Sequence, residues 1–345
     1  MWQRINTSLP VKTGVYDFIK RHKFLNLCLL LLYTGAEGTL AQKPPRPQTS
    51  ISIAKDRLVY KADSLGNRVP DFSWCGFAAS EMPIPDIAIK IVVPPVEGDA
   101  TARIQSALDY VAGLPVNKQG FRGAVLLEKG SYQIYGSLHI KTSGVVLRGS
   151  GVEDKNGTKL IAAGTHRRTL IRIEGAADRQ MEKAIGITSA YVPVNATGFR
   201  VMDGGNFRKG DKVIVRRPST AEWIDLLGTG HFGGGITALG WKPGDNDLFF
   251  DREIREVQGD SLVIDVPLTT ALDQNMGGGT LAAYEWKGRI HNIGVENLRC
   301  ISEFDTTNPK DEAHSWMGIT IENARDAWVR QVCFEHFAGS SVYVL

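Results

Sequence analysis

GDATARIQSALDYVAG (residues 98–113), with FRGAVLLEKGSYQIYGSLHIKTSGVVLRGSG (residues 121–151) close behind, is the stretch on which the fold turns. Ile104, Ala107, Leu108 and Val111 recur at helical spacing, so the first half predicts a short amphipathic helix. Asp99 is expected as its N-cap, because a carboxylate there can accept from the free amides of the first turn. Gly113 and Pro115 stop it. Four short apolar runs follow: Ala124 to Leu127, Tyr132 to Ile134, Leu138 to Ile140 and Val145 to Leu147. Gly130, Gly136, Gly144 and Gly149 punctuate them. Leu138 and Ile140 flank His139, which gives a strand with one face inward and one outward.

A one-faced helix ahead of short strands is how a solenoid covers its open end before the coils begin. The expected fold is all-β: a right-handed parallel β-helix with an N-terminal capping α-helix and a small inserted β subdomain. An antiparallel meander would space its strands similarly, and a later repeat favours the solenoid. Val295, Ile319 and Val342 open three apolar runs 24 and 23 residues apart. Asn297 and Asn323, 26 residues apart, each follow an apolar–Glu pair. Such asparagines are expected at turns, bonded to the backbone of an adjacent coil.

Residues 176–287 break the period. A turn at Phe207 to Asp211 feeds a strand, and Arg252 to Leu268 reads as a hairpin around Gly259-Asp260. The resulting division is a signal peptide (1–41), an extended arm (42–95), the capping helix with the first coils (96–175), the insert (176–287) and later coils (288–345). The chain stops at Leu345 within an apolar strand run, so further coils are expected beyond it. Arg21, His22 and Lys23 precede an apolar run from Phe24 to Tyr33, and Thr39-Leu40-Ala41 resembles a cleavage site. That pattern predicts export to the periplasm, cell surface or medium, with no transmembrane segment. The arm carries Pro70, Pro83, Pro85, Pro94 and Pro95, reads as irregular, and has Phe72 to Phe77 as its aromatic anchor.

The formal net charge is +3, and there is no basic stripe, which argues against a nucleic-acid partner. Thirty-seven glycines between short apolar runs favour β structure. Cys75, Cys300 and Cys333 follow the leader, an odd number that argues against a full disulfide framework. No Cys/His cluster has zinc spacing.

The chain resembles the pectate-lyase superfamily of single-stranded β-helices, in particular its rhamnogalacturonase-like and exo-glucanase-like branch. The matching residues are Gly98-Asp99, Ile104-Gln105 with Ala107, Gly123-Ala124-Val125, Lys129-Gly130-Ser131-Tyr132, Ser137-Leu138 and Leu147-Arg148-Gly149. The resemblance implies a secreted carbohydrate-active protein, monomeric when full length, with a uronate-containing polysaccharide as partner. It does not choose among lyases, hydrolases, epimerases and phage tailspikes.

β-Elimination is the favoured chemistry. It needs a base for the proton α to a uronate carboxylate and a cation for the developing charge. The resemblance implies an Arg or Lys base with calcium, here Arg330 with Asp305, Asp311 and Glu312 as metal ligands. A solvated acidic loop is the competing reading. A glycoside hydrolase instead needs two carboxylates, which Asp305 with Asp311 or Glu322 with Glu335 would supply. His231, His314 and His336 are candidates for proton transfer or substrate contact; a structural role competes for His314 and His336, whereas small neighbours leave the His231 ring accessible. Trp223 and Trp241, in the glycine-rich loop 222–247, would stack on sugar rings or pin the loop. A non-catalytic glycan-binding solenoid is the alternative from another class.

Overall fold

Strands dominate the described chain, and the stacked ones pair in parallel. They are β1 (Ile89–Val93), β2 (Gly123–Leu127), β3 (Gly130–Ile134), β4 (Leu138–Ile140), β5 (Val145–Arg148), β6 (Thr158–Ala162), β7 (Thr169–Glu174), β8 (Ile290–Ser302), β9 (Met317–Glu322), β10 (Ala324–Glu335) and β11 (Ser340–Val344). The computed structural model describes residues 50–55, 57–231, 240–308 and 310–345. The expected signal peptide (1–41) and the first residues of the arm (42–49) lie outside the described residues. Among the described residues no helix is long and apolar enough to cross a membrane.

Three parallel ladders result. The first runs β1–β2–β5–β8–β10, the second β3–β6–β8–β10, and the third β4–β7–β9–β11. Strands β8 and β10 are long and serve two ladders, bending at Asn297 and Gln331, which adopt φ of 57° and 51°. Inward positions align from coil to coil: Tyr132, Leu160, Cys300 and Phe334 in one row, Leu138, Ile171, Ile319 and Val342 in another. Stacking like on like buries one continuous apolar core. Cys300 lies wholly inside it, and burial pushes its thiol up. Asn323 (φ 52°) donates from Nδ2 to the Gly175 carbonyl at 3.1 Å, tying one coil to the one before.

Helix α1 (Thr101–Ala112) covers one end of the stack with Ile104, Ala107, Leu108 and Val111. Each large aliphatic side chain so buried contributes about 2 kcal/mol. The N-cap falls one residue later than expected, at Ala100. Asp99 instead accepts from the Thr101 amide (2.8 Å) and hydroxyl (2.5 Å). The helix also closes the open edge of the third ladder. Gln105 accepts from the His139 amide at 2.8 Å and donates to the His139 carbonyl at 3.0 Å, standing in for a neighbouring strand.

After β7 the chain leaves the stack, and it returns at β8. Between them lies an antiparallel sheet that includes Lys212–Arg217, Leu248–Gln258, Ser261–Ile264 and Thr280–Glu285, with a core of its own around Val213, Val215, Ile254 and Leu281. A second helix, α2 (Ala221–Leu227), sits in this sheet's long loop, and Gly228 closes it with φ 66°.

The arm is more regular than its prolines imply. Ile51–Ala54 and Arg57–Tyr60 form a hairpin, and the β-branched run IKIVV joins the first ladder as β1 before Pro94 and Pro95 end it. Of the aromatic anchor, Phe77 packs edge-on to Trp328 at 5.2 Å between centroids, whereas Phe72 is exposed. Trp328 lies across Gly294, where a Cβ would stand 2.3 Å from its ring, so only glycine fits beneath it.

Candidate functional site

Strand alternation sends every second side chain outward, and on the third ladder several of those side chains are ionisable. His139 aligns with Arg172, Thr320 and Tyr343, and Glu174 aligns with Glu322. Neighbouring strands lie about 4.8 Å apart, so these side chains meet across coils. His139 Nδ1 lies 2.6 Å from Glu174 Oε1, and Lys141 Nζ lies 3.3 Å from the same oxygen. Arg172 donates from Nε to Glu174 (2.9 Å) and from Nη2 to Glu322 (3.1 Å), bridging the two carboxylates. Partial burial pushes Glu174 up, but hydrogen bonds from His139, Arg172 and Lys141 outweigh it and hold the group below the usual carboxylate range.

The His139 tautomer follows from this arrangement. An ionised carboxylate only accepts, so Nδ1 carries a proton, and in the neutral ring the lone pair is on Nε2. Nε2 has no hydrogen-bond partner among the described residues, and His139 is about one-third exposed. The ring is therefore held in one orientation, its backbone clamped by Gln105 and its Nδ1 by Glu174.

Two cavities meet beside it, sharing Lys141 and Thr142. One, about 300 Å³, lies between α1 and the first coil and is lined by Gln105, Asp109, His139 and Lys141. The other, about 680 Å³, lies where the insert leaves and rejoins the stack, and is lined by Arg122, Lys141, Glu174, Lys287, Arg289 and Glu322. Together they form an open groove whose cations outnumber its carboxylates.

The residues singled out from sequence fall elsewhere, and most are occupied. Arg330 donates from Nε to Glu296 at 2.7 Å on the first ladder, where the fully buried Glu296 carboxylate also accepts from Arg148 (2.6 Å) and Trp328 (3.0 Å). A guanidinium so engaged is no base. Asp305 accepts from the Thr307 amide and hydroxyl, and Asp311 from the Asp305 and Ala313 amides. Those turn bonds hold both carboxyls below the usual range. Glu312 faces Arg167 at 3.3 Å. The three acids are thus turn formers and a surface pair rather than a calcium cage, and the described residues contain no group of three His, Cys, Asp or Glu able to hold a metal ion.

His314 is buried, with Nδ1 2.8 Å from the Ser302 hydroxyl and Nε2 donating to the Asp311 carbonyl at 3.1 Å. Both nitrogens are engaged, which makes it structural. His336 packs on Phe304 at 4.6 Å. Trp223 lies 5.8 Å from Trp241 and beneath the Arg217 guanidinium at 3.9 Å, so the pair pins the loop. His231 is exposed at the end of its described part, and residues 232–239 lie outside the described residues. Glu322 has Glu174 as its carboxylate neighbour instead of Glu335, which pairs with Arg299.

His139, Arg172 and Glu174 were missed as site residues. The visible signal was a His and a Lys at alternate positions of a short strand, His139 and Lys141. Their partners lie 33 and 35 residues beyond His139 and become neighbours only through coil register.

No family model matches the sequence, and no curated protein matches it. Among solved structures the chain is similar to phage tailspikes, three of which serve as examples. They are the Gp54 tailspike of Acinetobacter baumannii bacteriophage AP22, in complex with A. baumannii capsular saccharide (10% identity, TM-score 0.35), gp49 of Pseudomonas phage LKA1 (16%, 0.37) and gp61 of Pseudomonas phage phi297 (13%, 0.33). The similarity covers 71%, 71% and 68% of this chain but only 34%, 33% and 41% of theirs. At this degree of superposition the neighbours assign neither a family nor a substrate.

Proposed function

We propose that this chain is an exported right-handed parallel β-helix protein that cleaves an acidic polysaccharide by β-elimination in the groove of the third ladder. The carrying observation is the His139–Glu174 contact at 2.6 Å, which leaves Nε2 as an oriented base beside a cation-rich groove. In the proposed step Nε2 takes the proton from the carbon α to a uronate carboxylate. The electron pair left behind forms the carbon–carbon double bond, the glycosidic carbon–oxygen bond on the adjacent carbon breaks, and the leaving oxygen takes up a proton from water. Glu174 stabilises the imidazolium that forms. The groove cations oppose the negative charge that builds on the substrate carboxylate.

Hydrolysis is the lesser reading. Register places Glu174 and Glu322 close enough for a retaining pair, but such a pair needs one neutral carboxylic acid. Arg172 bridges both carboxylates, and Glu174 is held below the usual carboxylate range, which favours its ionised form.

Incubation with uronate polysaccharides tests the proposal. Elimination gives products with the ultraviolet absorbance of an unsaturated uronate, and His139→Ala is expected to abolish it. Persistence of that absorbance in a chelator would mean that the side-chain cations of the groove suffice, and its loss would add a metal ion to the site. New reducing ends without the absorbance would overturn elimination in favour of hydrolysis. Binding with neither product would make the chain a glycan-binding solenoid.

A further inference from the structure

Resting on the reading of the groove as a site for an acidic polysaccharide, we propose that Arg289 recognises the substrate carboxylate, and that Asp251 and Tyr284, both from the antiparallel insert, are its positioning residues. The other groove cations are engaged or loosely held. Arg172 bridges two carboxylates, and Lys141 faces Glu174. Arg122 has Nε and Nη1 on the carbonyls of Ser143 and Leu114. Lys287 is 87% exposed and 3.8 Å from Glu285.

Arg289 is four-fifths buried and fixed from several sides. Nε donates to the Ala324 carbonyl at 3.3 Å. Nη1 donates to the Asp251 carboxylate and lies 3.4 Å from the Tyr284 hydroxyl. The Trp286 ring lies 4.9 Å from the guanidinium carbon. Tyr284 in turn donates to Asp251 Oδ1 at 2.6 Å. Burial and the adjacent carboxylate push the Tyr284 phenol up, which keeps its proton available for that bond. Nη2 carries two N–H groups with no partner among the described residues, and Arg289 lines the 680 Å³ cavity. A planar donor held this way matches a carboxylate in direction as well as charge. Asp251 lies on Leu248–Gln258 and Tyr284 on Thr280–Glu285, so the insert is what aims the arginine at the groove.

The test compares binding of a uronate polymer with binding of its carboxyl-reduced counterpart, by calorimetry on the full chain. Wild type is expected to prefer the acid form. Arg289→Lys keeps the charge but loses the oriented Nη2 donor, and is expected to cut that preference about tenfold. Asp251→Asn gives opposite signs for two explanations. It removes a negative charge near the groove, so attraction by net charge alone would tighten binding of the acid polymer. Loss of positioning would weaken it, and we expect a loss of about fivefold. Tyr284→Phe, which removes only one hydroxyl, is expected to weaken it in the same direction, and keeps the test valid if Asp251→Asn fails to fold. Unchanged or tighter acid binding in Asp251→Asn and Tyr284→Phe would overturn the positioning role. Equal wild-type affinity for the two polymers would overturn carboxylate recognition while leaving a glycan site in place. Affinity for neither would overturn the reading of the groove itself, and this assignment with it.

Discussion

The first and third ladders both carry an ionic cluster on their outer faces, brought together by parallel register: on the first, one charge per coil with alternating sign; on the third, an Arg and a Glu of one strand that reach the coils on either side. On the first ladder the row is Arg148, Glu296 and Arg330, and it is roofed by Trp328 with the arm beside it. Arg148 also holds the arm itself, through Asp86 at 2.8 Å and the Ile87 carbonyl at 3.1 Å. On the third ladder the row is His139, Arg172, Glu174 and Glu322, and it borders an open groove. Identical chemistry is structural where it is covered and available to a substrate where it is not. What separates the two is the path of the arm.

The largest effect that would sharpen this contrast is loss of stability on the covered side. Glu296→Ala leaves Arg148 and Arg330 without their shared carboxylate in a buried setting, and is expected to cost about 3–5 kcal/mol in urea unfolding. Glu174→Gln, its counterpart on the open side, should cost less than about 1 kcal/mol, because its partners remain partly solvated. It is instead expected to lower the rate of formation of unsaturated product about a hundredfold, by weakening the hold on the His139 tautomer. Comparable destabilisation by the two substitutions would break the distinction. On the covered side, Gly294→Val would drive a side chain into Trp328, at an expected cost of about 1–3 kcal/mol, read by thermal melting.

How much of this was legible in the sequence differs between the two rows. Helix α1 and the short strands after it are local, written in spacing and glycine turns, and they stand where the pattern put them. Asn323 likewise bonds an adjacent coil, as a turn asparagine is expected to. Neither ionic row was legible. Arg148 and Glu296 are 148 residues apart because the insert intervenes, so no periodicity links them. The acidic run around Asp311 drew attention because its charges are close in sequence. Closeness in sequence there serves a turn, whereas the carboxylates at the groove, Glu174 and Glu322, are close only in space.

A smaller effect distinguishes the rows by pH. Burial pushes the Glu296 carboxyl up, but hydrogen bonds from Arg330, Trp328 and Arg148 outweigh it, leaving it below its ordinary value of 4.5. A depressed folded-state value means that the unfolded chain binds the proton first. The stability Glu296 supplies is therefore fully present above its unfolded value and is lost as pH falls through the folded one. Glu174 is depressed in the same direction, but it is one-fifth exposed and its contribution is screened. The urea midpoint of the wild type should fall as pH is lowered below about 4.5. Glu296→Gln should flatten that dependence, and Glu174→Gln should leave most of it. A dependence that survives Glu296→Gln intact would mean that the covered row is not what the acid attacks.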